Sequence, residues 1–267
     1  MSSLEGELIR LYIQTIPKKG KITVDANIIT SKGIKNVVKG VFSYRTIVDT
    51  TNESYNESYN ERWSSINYHV KDGVFCCIAY KNDQIISIGT AFAVTENDLI
   101  TNAHVIKDSD EILIFNKDVD NNTIQVSLKN TNEVLDLAWL QLNNTNIKLK
   151  KLDIDWRYEP KNADQVAAFG YPYDTFASDD CRLKCSYGIV KGLTKNQENQ
   201  DIILHDANIA SGNSGGPLVN LSGKVIGVNQ MITFNKIENE MRNKQSGAIR
   251  VSNLEIFKEL KEKLNYK

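Results

Sequence analysis

Beyond about residue 74 the apolar residues come in short runs, each bounded by polar turn residues, and the runs read as strands. Val74–Tyr80 and Ile85–Val94 flank Lys81-Asn82-Asp83-Gln84, which predicts a hairpin. Further strands are predicted at 99–100, 112–116, 123–128, 134–142, 165–169, 186–190, 202–205, 217–219 and 224–229. That makes about ten to twelve short strands with no helical pattern alternating between them, so an antiparallel barrel or sandwich is expected and βαβ units are not. Only the C-terminus reads as helix. Ser252 with Glu255 suggests a capping box, Val251 and Ile256 a hydrophobic staple, and Leu254, Phe257, Leu260 and Leu264 one apolar face.

The first 50 residues carry short β-type runs at 8–13, 22–24 and 37–44, with Lys18-Lys19-Gly20 as a turn. Residues 52–61 repeat the unit Asn-Glu-Ser-Tyr without apolar periodicity and read as a polar linker, or more sharply as a tyrosine-bearing docking segment. A boundary is placed near residue 65. This gives an N-terminal extension over 1–65 and a β-rich domain over 66–267, with the extension open to a regulatory partner.

Composition narrows the function classes. The chain has 267 residues, 41% of them hydrophobic, and a net charge of −1. The charge offers no basic field for nucleic acid. No apolar run approaches the ~20 residues of a membrane span, and the N-terminus lacks the features of a signal peptide. The expectation is a soluble, cytoplasmic protein without cofactor. Its four cysteines are expected to be reduced there, and the spacing of Cys76, Cys77, Cys181 and Cys185 is looser than a zinc site wants.

The chemistry concentrates in Gly212-Asn213-Ser214-Gly215-Gly216-Pro217. Glycines allow a tight turn that exposes one hydroxyl and lets N–H groups converge on a point, which is what a nucleophile beside an oxyanion pocket requires. A serine needs a base within reach, and the base needs a carboxylate to fix its tautomer. There are three histidines. His69 lies in the approach to the domain with no structured turn around it, and His205 has Asp206 as neighbour. His104 ends the run Leu99-Ile100-Thr101-Asn102-Ala103, where an apolar strand stops and presents an imidazole. Asp136, at the mouth of the apolar run Leu137–Leu142, is the favoured carboxylate and Asp206 its rival.

Four ordered blocks carry a family resemblance. They are Gly89-Thr90-Ala91-Phe92 with Thr101-Asn102-Ala103-His104-Val105; Asp136-Leu137-Ala138-Trp139-Leu140; Gly170-Tyr171-Pro172 with Ser186-Tyr187-Gly188-Ile189-Val190; and Asp206 through Val219 followed by Gly223–Asn229. From about residue 70 onward the chain resembles the trypsin-like serine proteases of the chymotrypsin fold, closest to the HtrA/Deg branch. The order His, Asp, Ser is that of chymotrypsin. The departures are Ala91 for the usual Gly, Trp139 for a smaller aliphatic, and the paired cysteines, and no PDZ-like domain is expected after the C-terminal helix.

The resemblance implies two six-stranded antiparallel β-barrels, a C-terminal helix, and a peptidase acting on protein or peptide substrates. It implies Ser214 as nucleophile, His104 as base, Asp136 as orienting carboxylate, and an oxyanion hole at Gly212, Asn213 and Ser214. It places substrate-binding residues at Asn208, Ile209, Ala210, Asn229, Gln230 and Ile232, with small or medium apolar P1 residues preferred. Substrate would add as a strand along 229–234. A catalytically silent binding module and a partner-activated effector are the competing expectations.

Overall fold

The computed structural model describes residues 8–10, 20–30, 33–44, 61–117, 120–144, 146–174, 181–196, 200–233 and 244–264. The polar repeat over 52–60 lies outside them. The chain divides into two compact units, residues 1–59 and 60–267. In the first, β1 (Leu8–Arg10), β2 (Gly20–Thr30) and β3 (Gly33–Tyr44) form a three-stranded antiparallel sheet in sequential order.

The second unit opens with a helix absent from the sequence reading. Residues 61–70 form α1, so the boundary falls earlier than residue 65, and His69 sits on a helix rather than in an unstructured approach. Trp63, Ile66 and Val70 are buried at i, i+3 and i+7, which is one helical face. Trp63 meets the ring of Tyr187 at 5.2 Å, and the Arg62 guanidinium donates to the Leu221 carbonyl at 2.9 Å.

Twelve strands follow and close into two antiparallel six-stranded barrels. The first contains β4 (Val74–Lys81), β5 (Gln84–Ala93), β6 (Asp98–Thr101), β7 (Glu111–Asn116), β8 (Asp120–Asn132) and β9 (Leu137–Leu142), in the order 4-5-6-9-8-7. The predicted β4–β5 hairpin is present, and Asn82 and Asp83 take positive φ of 49° and 61°, as a tight two-residue turn demands. Period-2 alternation sends Phe75, Cys77, Ala91, Ala93, Ala138 and Leu140 into the core.

The second barrel contains β10 (Gln165–Gly170), β11 (Lys184–Lys195), β12 (Asp201–His205), β13 (Pro217–Asn220), β14 (Val225–Thr233) and β15 (Lys244–Arg250), in the order 10-11-12-15-14-13. Val166, Ala168, Val190, Ile203, Leu218 and Ile226 fill it. β15 has no apolar alternation to announce it. It is placed by pairing with β12 on one side and β14 on the other, and it closes the barrel.

The C-terminal segment differs from expectation at its start. Residues Val251–Ile256 form a 3-10 helix with Arg250 at the cap, so Ser252 lies inside the turn and caps nothing. Ile256 is 46% exposed and makes no staple. Val251, Leu254 and Phe257 are buried at a spacing of three, which suits three residues per turn better than 3.6. After Phe257 the chain becomes α3 (Lys258–Lys263), with Leu260 buried.

The unusual Trp139 explains the docking of this segment. Its ring lies 6.3 Å from Phe257 and beneath Lys263 Nζ at 4.9 Å, while its indole N–H donates to buried Asp98 at 2.9 Å. Lys263 closes the set with an ion pair to Asp98 at 3.0 Å. The segment before the first barrel therefore packs on the second barrel, and the segment after the second packs on the first.

Candidate active site

The histidine is set by a change of structure after β6. Asn102 is extended and begins the one-turn helix α2 (Ala103–Ile106), so His104 projects one residue into the turn. A single carboxylate holds it twice. Asp136 Oδ1 accepts the His104 backbone N–H at 2.9 Å, and Oδ2 lies 2.7 Å from ring Nδ1. An ionised carboxylate only accepts, so Nδ1 carries the proton and Nε2 is left as a lone-pair acceptor.

Asp136 ends a tight turn with φ of +50°, a conformation that Asp tolerates better than most side chains. Asn102 braces it from the histidine side by donating from Nδ2 to the Asp136 carbonyl at 2.8 Å. The strained backbone is thus over-determined from both ends, as strain at functional sites tends to be.

Ser214 lies on the loop entering β13. Asn213 N–H donates to the Ala210 carbonyl at 3.0 Å and Gly216 N–H to that of Asn213 at 3.1 Å, which coils the loop. Gly212 and Gly215 have φ of +98° and +86°. A Cβ at 212 would stand 2.2 Å from the Tyr171 carbonyl oxygen, and one at 215 would stand 2.2 Å from Thr101 Oγ1 and the Thr90 carbonyl. Glycine is required at both for conformation and for space.

The same Gly215 position is 3.0 Å from the Asn102 backbone nitrogen, so the serine loop rests on the residue that starts the histidine helix. Ser214 Oγ makes no hydrogen bond to another described residue; its carbonyl accepts from Thr90 N–H at 2.9 Å.

Thr90, quoted in the first sequence block but given no role there, ties the barrels together. It is fully buried on β5. Its hydroxyl donates to the Gly212 carbonyl at 2.7 Å and accepts from Tyr171 N–H at 2.9 Å. Tyr173 N–H holds the Ser211 carbonyl at 2.8 Å. A trans peptide is planar, so fixing that carbonyl toward Tyr173 turns the Gly212 N–H of the same peptide the opposite way. The signal in the sequence was a hydroxyl residue within an apolar strand.

Several expected site residues do something else. Asn213 commits its N–H to Ala210, which removes it as an oxyanion donor; the N–H groups of Gly212 and Ser214 donate to no acceptor among the described residues. Ile209 points into the core of the second barrel because alternation along this stretch faces it inward with Ala207. Asn208 is exposed, and its N–H donates to Ser186 Oγ at 2.8 Å. Asn229 is buried, and its Nδ2 donates to the carbonyls of Pro217 at 3.0 Å and Phe169 at 3.3 Å, so it clamps strands instead of touching substrate.

Ala210 is exposed and Gln230 half-buried. Ile232 lies on β14, with its side chain outside the described residues, as is Phe234. A surface cavity of about 300 Å³ lies behind α2, lined by Ile106, Lys107, Gln125 and Leu128 among others, and none of His104, Asp136 or Ser214 borders it.

The rival groups are engaged elsewhere. Asp206 pairs with Lys191 at 2.7 Å and accepts Ile189 N–H at 2.7 Å, and the lysine holds its carboxyl below the usual range. His205 is buried on β12. Burial pushes its pKa down to about 4, against weaker opposing effects of Asp206 and the backbone of Gly247 and Ala207, so it is neutral at pH 7.

Residues 89–228 match a protein family described as the trypsin-like peptidase domain. Among characterised proteins, the mitochondrial serine protease HTRA2 of Drosophila grimshawi is 32% identical over 157 residues, covering 54% of this chain and 34% of that protein. The serine endoprotease DegS of Escherichia coli strain K12 is 34% identical over 138 residues, covering 52% and 37%. The chain thus spans about a third of the length of these relatives. Among solved structures, the HtrA-type protease AlgW with tripeptide superposes with a TM-score of 0.62 at 25% identity, covering 74% of this chain and 63% of that one. The serine endoprotease from Yersinia pestis gives 0.58 at 25% identity, covering 76% and 66%.

Proposed function

The chain belongs to the trypsin-like peptidase family, with HtrA-type relatives, and on that premise we propose that it is a serine endopeptidase working through His104, Asp136 and Ser214. Ser214 Oγ attacks the scissile carbonyl carbon while His104 Nε2 takes its proton. The tetrahedral intermediate collapses as the imidazolium protonates the leaving amine, which leaves an acyl-enzyme. Water, deprotonated by the same nitrogen, attacks the ester and frees Ser214. Asp136 holds the tautomer and stabilises the imidazolium. The N–H groups of Gly212 and Ser214 receive the oxyanion; losing one such donor costs about 10²–10³ in rate.

The observation that carries this reading is the double hold of Asp136 on His104, through backbone and ring at once. It leaves Nε2 as the acceptor nitrogen, and the serine loop reaches the start of the same helical turn, where a Cβ at Gly215 would stand 3.0 Å from the Asn102 nitrogen. Casein hydrolysis tests it: Ser214→Ala and His104→Ala each abolish cleavage with the fold intact by circular dichroism. Two variants that both digest casein at the wild-type rate would end the proposal.

A preference for small or medium apolar P1 residues is part of the same reading. Asp206 is the single carboxylate within 205–216, and Lys191 neutralises it, while Ala210 stands exposed before the serine turn. A peptide-library profile dominated by Arg at P1 would refute it.

A partner-activated form is the second reading, favoured by the lack of a hydrogen bond from Ser214 Oγ to another described residue. Its discriminating comparison is activity of the full chain against a chain starting at residue 60, which keeps α1. Greater activity of the shorter chain supports restraint by the N-terminal unit; equal activity opposes it.

A further inference from the structure

Cys76 lies on β4 directly opposite Thr90 of β5 and Phe115 of β7, so the three side chains share one face. Cys77 points the other way, into the core of the first barrel. The Cys76 face is turned toward the second barrel. Phe115 meets Tyr171 with ring centroids 6.2 Å apart, the Tyr171 hydroxyl donates to the Val74 carbonyl at 3.4 Å, and Thr90 holds Tyr171 N–H and Gly212 C=O. In the middle of this row Cys76 Sγ stands 3.7 Å from Sγ of Cys181, which belongs to the connection between β10 and β11. No disulfide joins the described cysteines.

We infer that Cys76 and Cys181 are an oxidative modification site, a latent disulfide that bolts the first barrel to the second beside the contact that shapes the oxyanion loop. The inference stands on the two sulfurs' placement and does not depend on the protease reading. The thiols, one on a strand of the first barrel and one on the β10–β11 connection of the second, are already in van der Waals contact, and an S–S bond is about 2.04 Å long, so closure asks for a shift of under about 2 Å. The two cysteines are 105 residues apart, so the bond would close a long loop and constrain the unfolded chain strongly.

The chemistry uses a small-molecule disulfide such as oxidised glutathione. Cys181 is 6% exposed and Cys76 fully buried, so Cys181 reacts first. Its thiolate attacks one glutathione sulfur and expels a glutathione thiolate. Cys76 then loses its proton and attacks the Cys181 sulfur, expelling the second. Two protein thiols become one disulfide, and one oxidised glutathione becomes two reduced. Hydrogen bonding to Cys181 and burial both raise the Cys76 pKa, which makes the pair slow to oxidise and keeps the reduced form standing under mild conditions.

The full-length protein is incubated with oxidised glutathione, alkylated under denaturing conditions, and mapped by non-reducing peptide mass spectrometry. The expected result is a cross-linked pair of peptides containing Cys76 and Cys181, with Cys77 and Cys185 alkylated. The melting temperature rises by about 5–10 °C and returns on treatment with dithiothreitol. Cys181→Ser abolishes both cross-link and shift, and Cys76→Ala, which keeps a small apolar side chain in a buried site, does the same. Full alkylation of Cys76 and Cys181 after oxidation, a cross-link to Cys77 or Cys185 instead, or a Cys76–Cys181 bond without a thermal shift overturns the inference.

Discussion

Replacing Thr90 by valine keeps the shape of the side chain and removes one oxygen. That oxygen makes two bonds across the barrel interface, at 2.7 Å to the Gly212 carbonyl and 2.9 Å from Tyr171 N–H. Thr90 and Tyr171 are essentially inaccessible to water, so both backbone groups lose their partner without a replacement. Each buried group left unsatisfied costs about 1–3 kcal/mol, so the substitution destabilises by about 2–6 kcal/mol, out of about 5–15 for a typical domain. The oxyanion loop loses the bond fixing the Gly212 carbonyl, so kcat/KM falls by about 10- to 100-fold, below the full loss of an oxyanion donor. The fall appears in kcat more than KM, because the contact serves the transition state. Urea unfolding and peptide hydrolysis read the two effects. Thr90→Ser keeps the hydroxyl and loses only a methyl, so it stays within about 0.5–1.5 kcal/mol of wild type. A Thr90→Val protein with wild-type stability and wild-type kcat would refute the role given to this hydroxyl.

Asp136→Asn replaces an acceptor-only carboxylate with a group that can donate to Nδ1 and so admits the wrong tautomer; kcat falls by roughly 10⁴ with little change in KM. Steady-state hydrolysis checks this, and an unchanged kcat contradicts it. His205 protonates at about 4 when folded and near 6.5 in an unfolded chain, so the unfolded state binds more protons between those values and stability falls as pH drops from about 6.5 to 4. The loss is roughly 3 kcal/mol, and His205→Leu removes that slope from urea-derived stabilities whatever its effect at pH 7. Lys263→Met leaves buried Asp98 with hydrogen bonds from Thr95, Trp139 and Gln141 but no counter-charge, and destabilises by about 1–3 kcal/mol without altering kcat. Burial alone would raise the Asp98 pKa, but the bonds from Thr95, Lys263 and Trp139 outweigh it. The variant therefore unfolds at a higher pH on acidification than wild type.

The barrels were legible because eleven of their strands announce themselves by alternation or apolar runs, and Asn82-Asp83 by its turn chemistry. β15 was not, since Lys244-Gln245-Ser246-Gly247 has no apolar face and is placed only by its two neighbours. α1 was hidden by its position beside a polar repeat, although Trp63, Ile66 and Val70 have helical spacing. The C-terminal capping box misled because burial at every third residue favoured a 3-10 turn over the local cap. At the site, elimination singles out His104 and the cost of a charge at an apolar strand singles out Asp136, and the structure brings the two side chains together. The partners of Thr90 and Tyr173 are out of reach, because both act through backbone groups more than 30 residues away, and the sequence shows only the hydroxyl of Thr90 within an apolar strand. Ile209 and Asn229 enter the pocket list through the motif alone, and motif spacing does not say which way a side chain points.

Labelling with a fluorophosphonate probe tests nucleophile, base and oxyanion donors in one reaction. One adduct per chain is expected, mapped to Ser214 by peptide mass spectrometry, absent from Ser214→Ala and slowed at least about 10³-fold in His104→Ala. An adduct on a different residue, or equal labelling of wild type and His104→Ala, would contradict the assignment of these three side chains to one catalytic group.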